Sequence, residues 1–245
     1  MQNPLPAATA RLWHRLETEP LLAGWYLLGG SALALRIGHR LSEDLDFAWP
    51  EGTKLPVPKV RILGSEGWSM ERKDNAGSYD EFLIAGMSLH DYQQDFLATG
   101  SEGTVKLTFF SPDQALAKLL PHSNSNVVIV PDTRVFFQTK ALVASSRSTV
   151  RDWVDLYVLM TQHGFTMDDF VSAYESAGSK LQLDIAFNRL TSGQPRAGDP
   201  GIEELMPNPP AVETMADYFR EELRKWKLAR AGKALTGSGS GRPNI

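Results

Sequence analysis

Two short pieces of this chain carry groups whose types and spacing could do chemistry. Gly29-Gly30-Ser31 is a turn of nearly bare backbone, and Asp44-Leu45-Asp46 places two carboxylates two residues apart. Glycines lack the Cβ that would keep an anion away from the main chain, so a strand, a two-glycine turn and a helix start make a phosphate cradle. On an extended segment side chains alternate, which points Asp44 and Asp46 to the same face. Neighbouring carboxylates repel unless a cation sits between them. The natural occupant is a hard ion with oxygen ligands, Mg2+ or Mn2+. Cradle, carboxylate pair and divalent ion together are the equipment for moving a nucleotidyl or phosphoryl group. Each piece alone is a common structural feature; the combination gives them weight.

The elements around these pieces supply the required order. Trp25 to Leu28 is a short β-prone run that ends at the glycines. Residues 31–36 read as a helix, with Ser31 as its N-cap and Gly38 closing it. Residues 44–49 alternate polar and apolar, as a half-buried strand does. Upstream, 6–18 has helical spacing with Leu12, Trp13 and Leu16 as its buried stripe. Downstream, 59–63, 67–72, 81–87 and 105–110 are strand candidates, 112–120 is a short helix and 127–130 is a brief strand. From 131 to about 160 the pattern is helical, in one piece or two. Helices follow at 166–176, with Thr166 as cap, at 179–190 and at 211–231, separated by a Gly- and Pro-rich loop. Strands thus precede helices. We expect an α+β lobe over 1–130, a helical lobe over 131–231 that completes the active site, and a disordered tail over 232–245.

Composition excludes several other chemistries. The 245 residues contain no cysteine, which removes disulfides, zinc–thiolate sites, iron–sulfur clusters and a cysteine nucleophile. The five histidines show no HxxxH or HExxH spacing, so a structural zinc site is not expected. A formal charge of −4 rules out a polybasic nucleic-acid coat but leaves room for a local basic patch. The first ten residues lack the basic and apolar regions of a secretion signal, and the apolar run 21–35 is too short to span a bilayer. The expected location is the cytoplasm, with no membrane contact.

The stretch GGSALALRIGHRLSEDLDFAW, beginning at Gly29, resembles the signature of the nucleotidyltransferase-fold toxins of the AbiEii/AbiGii type. These belong to the wider polymerase β-like nucleotidyltransferase superfamily. The family pattern runs GG-[ST]-A-x-x-x-R and then H-R-x-S-x-D-L-D-F. A second block, Lys140 through Arg147 and Arg151-Asp152-Trp153-Val154-Asp155-Leu156-Tyr157, resembles the later family motifs. If 140–155 were one continuous helix, Lys140, Arg147 and Arg151 would fall within about 20° of one line, with Asp155 about 60° away. That would be a cationic stripe edged by carboxylates, suited to a triphosphate.

The resemblance implies a polymerase β-like lobe with a mixed twisted sheet, followed by a helical lobe. It also implies an activity: Mg2+-dependent transfer of NMP from an NTP to an RNA acceptor, the tRNA 3′ end being the family-level expectation. Such an enzyme would be the toxin of a toxin–antitoxin pair of the abortive-infection type, partnered by a cognate antitoxin. By the same resemblance, Gly29, Gly30 and Ser31 hold phosphates, and Asp44 and Asp46 bind the metal. Lys140 meets phosphate charge, Asp155 or else Asp152 orients it, and Arg36 and Arg147 support the nucleotide. The alternatives are transfer of phosphoryl or AMP to a protein, and an inactive nucleotide- or partner-binding module.

One departure stands out. Many superfamily members carry a third carboxylate on a later strand, whereas VKLTFF offers Thr108, with Lys106 on the same face. Trp25, Trp49, Trp68 and Trp153 read as core. His39-Arg40 reads either as a nucleotide contact or as an exposed loop pair. Arg220 to Arg230 reads either as a holder of RNA backbone or as an ordinary amphipathic helix, and Ser42 is a candidate for modification.

Overall fold

In the computed structural model, which describes residues 3–56, 67–73, 88–122 and 124–237, five strands form one mixed sheet. They are β1 (Tyr26–Leu28), β2 (Leu45–Ala48), β3 (Ser69–Lys73), β4 (Gln93–Gly100) and β5 (Gly103–Phe110). Their order is β1-β2-β5-β4-β3. Only β2 and β5 run parallel; every other pair is antiparallel. One face is apolar: Leu27, Leu45, Phe47, Leu107 and Phe109 are buried, and the Phe47 and Phe109 rings stack at 5.2 Å. Trp25 meets Phe109 edge-on at 5.5 Å, a favourable quadrupole arrangement. The register carries one continuous row across the other face: Leu28, Asp46, Thr108, Asp95 and Lys73.

Around the sheet lie α1 (Ala7–Leu16), which buries Leu12, Trp13 and Leu16, and α2 (Gly29–Ile37), which Gly38 ends in a left-handed C-cap. The short α3 (Gln114–Ala117) is capped by Asp113. The run 127–130 makes a single parallel bridge, Ile129 to Tyr26, instead of a strand. Its main chain lies along β1: Leu27 N donates to Ile129 O at 2.9 Å and Ile129 N to Trp25 O at 2.8 Å. Strand β4 is not signalled by the sequence pattern, because QQDFLATG lacks β-branched alternation. The strand candidates 59–63 and 81–87 lie outside the described residues.

The chain divides into two units: Met1–Phe136 with Glu203–Pro207, and Phe137–Ile202 with Asn208–Ile245. The second is helical. Helix α4 (Thr133–Val143) runs into it, followed by α5 (Val150–Gln162), α6 (Met167–Ala177), α7 (Leu183–Ser192) and α8 (Val212–Gly237). Phe137, Trp153, Phe170, Tyr174, Phe187, Met215 and Phe219 are buried. Thr166 and Asp169 close a capping box on α6. Residues 232–237 continue α8, where the sequence suggests the start of a tail.

The single helix over 140–155 does not form. Ser145 and Ser146 turn their hydroxyls onto the carbonyls of Leu142 and Val143, which competes with helix propagation. Thr149 then starts α5 as its N-cap. Lys140 therefore sits on α4, Arg147 in the turn and Arg151 on α5, so no linear cationic stripe exists. Among the described residues no helix is long and apolar enough to cross a membrane.

Candidate active site

In the first unit the site is built by the β1–α2 turn and the entry to β2. Helix α2 begins at Gly29, two residues before the Ser31 start suggested by the sequence, and Leu28 is its N-cap. Ser31 is therefore not the cap. It lies in the first turn, 1% exposed, and its hydroxyl donates to the main-chain carbonyl of Asp44. That bond fastens α2 to the segment leading into β2. Thr9 Oγ1 makes a similar bond to Glu43 O at 2.8 Å. Leu41 N donates to Leu205 O at 2.7 Å and Ser42 N to Pro4 O at 3.2 Å. The loop 39–44 is thus fixed by main-chain ties on several sides.

Asp44 immediately precedes β2 and Asp46 lies within it, both half-buried and flanking the fully buried Leu45. Leu28 pairs with Asp46 in the β1–β2 register, which carries the Asp46 side chain to the glycine that follows Leu28. The contact is close. A Cβ added to Gly29 would lie 2.2 Å from Asp46 Oδ2, and Gly29 has φ +72°. A Cβ on Gly30 would lie 2.6 Å from Arg40 Nη2 and 2.7 Å from Ser42 Oγ. Gly29 is required by its backbone conformation and by the carboxylate against it, whereas Gly30 leaves room for the Arg40 and Ser42 side chains. Gly29→Ala is expected to cost about 1–2 kcal/mol from the left-handed backbone alone, and to displace Asp46 besides. Urea melts should show the loss of stability. Initial rates of nucleotide transfer should fall by more than that loss explains at a temperature where the variant remains folded.

The pair fits a divalent ion. Two carboxylates suffice for Mg2+, which keeps several waters of its own, and the bare Gly29 backbone leaves Asp46 room to present its oxygens. Among the described residues no group of three or more His, Asp or Glu side chains could hold a metal. Thr108 stands beside Asp46 on β5, the position the sequence left without a third carboxylate, and Asp95 pairs with Thr108 from β4. Asp95 is 2% exposed, and its Oδ2 accepts from Gln93 Nε2 at 3.0 Å. Its place was invisible in the sequence because only the two-strand register brings β4 to this row. Lys106 is exposed on β5.

Arg36 donates through Nε to Pro131 O at 2.7 Å and through Nη2 to Val130 O. Its guanidinium anchors the end of α2 to the segment that follows Ile129.

The second unit holds a separate cluster. Lys140 Nζ lies 2.7 Å from Asp152 Oδ1 and 2.7 Å from Asp155 Oδ2. Arg147 Nε donates to Asp152 Oδ2 at 2.7 Å, and Thr149 Oγ1 donates to the same oxygen at 2.5 Å. Lys140 is 6% exposed and Asp155 fully buried. Two cations and two anions balance in this set, with Lys140, Asp152 and Asp155 buried and Arg147 reaching Asp152 from the exposed side. Burial alone would push the Asp152 carboxyl up; the Lys140 ammonium and the Arg147 guanidinium reverse that and hold it well below the usual carboxylate range.

The basic stretch on α8 is largely neutralised by nearby acids. Arg220 pairs with Glu213 and Asp217, Arg224 with Glu221 and Lys225 with Glu222. Trp226 donates to Asp168 Oδ1 at 2.8 Å, and Arg230 packs over its ring.

The glycine turn thus meets the Asp46 carboxylate at Gly29 and holds the main chain of Asp44 through Ser31. A family model described as nucleotidyl transferase AbiEii toxin, type IV toxin–antitoxin system, matches residues 11–230, and the chain belongs to that family. The Aquifex aeolicus (strain VF5) protein aq_aa25, itself uncharacterized, is 24% identical over 209 residues, spanning 82% of this chain and 87% of that one. Among solved structures, JHP933 from Helicobacter pylori is similar at TM-score 0.45 and 17% identity, covering 94% of this chain and 97% of that one. MenT4, a nucleotidyltransferase toxin from Mycobacterium tuberculosis H37Rv, is similar at TM-score 0.45 and 12% identity, covering 82% and 78%.

Proposed function

We propose that this member of the toxin family transfers NMP from an NTP to the 3′ end of an RNA, with tRNA as the acceptor, and so blocks translation. The observation that carries the reading is the packing of the Asp46 carboxylate against the bare backbone of Gly29, which joins the dicarboxylate to the phosphate turn. Asp44 and Asp46 would hold Mg2+ or Mn2+. An ion held there would supply positive charge to acidify the attacking hydroxyl and to offset charge on the leaving pyrophosphate. Gly29 and Gly30 give the phosphates access to main chain, and Ser31 fixes the turn through Asp44 O. The acceptor hydroxyl gives up its proton to water as its oxygen forms a bond to the α-phosphorus, the bond to the bridging α–β oxygen breaks, and pyrophosphate departs.

Lys140 is assigned to phosphate charge in this reading, with Asp155 and Asp152 orienting its ammonium and Arg147 steadying Asp152. Arg36 serves the nucleotide by anchoring α2. The cognate antitoxin is the expected protein partner.

Incubation of the full chain and Mg2+ with total RNA and each NTP, labelled in turn at the α and the γ phosphate, tests the reading. Label should reach RNA from the α position only, at the 3′ end. Label from the γ position would make the protein a kinase. AMP found on protein with none on RNA would move the acceptor to a polypeptide.

A further inference from the structure

Arg40 occupies a place that a loop basic residue would not be expected to reach. It is 5% exposed, Nη1 donates to Leu41 O at 2.9 Å, and Nη2 lies 2.6 Å from where a Gly30 Cβ would be. On the preceding residue, Gly29, the Asp46 carboxylate makes the corresponding approach. Successive bare glycines thus receive opposite charges, an anion and then a cation. A metal-bound phosphate presents the complementary pattern, a cation beside anionic oxygens.

We propose that Arg40 is a substrate-contacting residue, whose guanidinium, seated on the Gly30 backbone beside Asp46, takes an oxygen of the triphosphate of the nucleotide substrate. The proposal rests on the nucleotidyl-transfer reading above. Two observations support it. The guanidinium is a planar fork whose one arm is already fixed by the Leu41 carbonyl, so it is oriented before substrate arrives. It is largely withdrawn from water, which strengthens a charge-assisted hydrogen bond.

Glycine at position 30 provides a second way to test it. Gly30 lies within α2 and its φ is not positive, so alanine suits its backbone and would favour the helix by up to about 1 kcal/mol. The atoms nearest the added methyl are the side-chain ends of Arg40 and Ser42, which can swing away. Gly30→Ala therefore removes the guanidinium from its seat without deleting its charge, and it remains informative if Arg40→Ala fails to fold.

The full-length protein, with Mg2+, is assayed for transfer kinetics and for binding of NTP, NDP and NMP, alongside Arg40→Ala, Arg40→Lys, Gly30→Ala, the Gly30→Ala/Arg40→Ala double variant and Asp46→Asn. Expected results are a KM for NTP raised about tenfold or more in Arg40→Ala and Gly30→Ala, with a smaller change in kcat. Lysine should rescue part of the loss, and the double variant should be no worse than either single one. The penalty should shrink from NTP to NMP, a dependence on phosphate number that a purely structural arginine would not produce. If wild type transfers nucleotide and Asp46→Asn does not, while the folded Arg40 and Gly30 variants keep KM within twofold, Arg40 is not a phosphate contact and the transfer reading survives. If wild type neither binds nor transfers any NTP, both fall.

Discussion

Asp46→Ala should abolish nucleotide transfer and toxicity while leaving the fold intact. Asp46 presents its carboxylate on the polar face of β2, half-buried, while Leu45 and Phe47 on either side fill the apolar face. Removing it takes away half of the carboxylate pair without opening a cavity in the core. The loss of metal-derived charge stabilisation is worth several kcal/mol, so the rate should fall by about 10³-fold or more. Circular dichroism and a thermal melt should match wild type, and induced expression should no longer arrest growth. A variant that still arrests growth at wild-type protein levels would refute the assignment of Asp46.

Lys140→Met should destabilise the helical unit more than any other single change at the sites described. The ammonium sits between Asp152 and Asp155, and removing it strands two buried carboxylates with only Arg147 opposite Asp152. Breaking such a set costs about 3–5 kcal/mol, or a fall in Tm of about 10 °C for a chain of this size. Adding Asp152→Asn and Asp155→Asn should recover much of the loss, because a neutral set has no stranded charge.

The same network predicts acid sensitivity. The Asp152 carboxyl is depressed in the folded state, so the unfolded chain binds the proton more readily. Its contribution is complete above the ordinary aspartate pKa near 4 and is lost as pH falls below it. Urea midpoints for wild type should therefore decline below about pH 4. In Asp152→Asn, which lacks the carboxyl, that part of the decline should be missing. An unchanged acid slope would mean that the Lys140 and Arg147 bonds do not set this titration.

The turn and the carboxylate pair could be read from the sequence because both depend on local periods. Two glycines after a β-prone run define a turn, and a spacing of two on a strand defines a face. The misreadings come from elsewhere. Of the two readings of 131–160, the single helix fails at the serines at 145 and 146, whose hydroxyls favour local bonds over helix. Asp95 could not be found because its relation to Asp46 exists only through Thr108 and two strand pairings. Ser31 reads as a cap because hydroxyls usually serve there, yet the left-handed Gly29 lets the helix begin earlier. Arg40 was ambiguous for a similar reason. Its burial follows from main-chain ties to Pro4 and Leu205, residues remote in the chain.

The main chain of Ile129 lies along β1 and has a consequence for assembly. An edge strand with open donors and acceptors invites another chain to extend the sheet. Here Trp25 O and Leu27 N are already engaged by Ile129, and Gly24 N by Val127 O. A protein that captures this toxin along β1 finds those three backbone groups already taken.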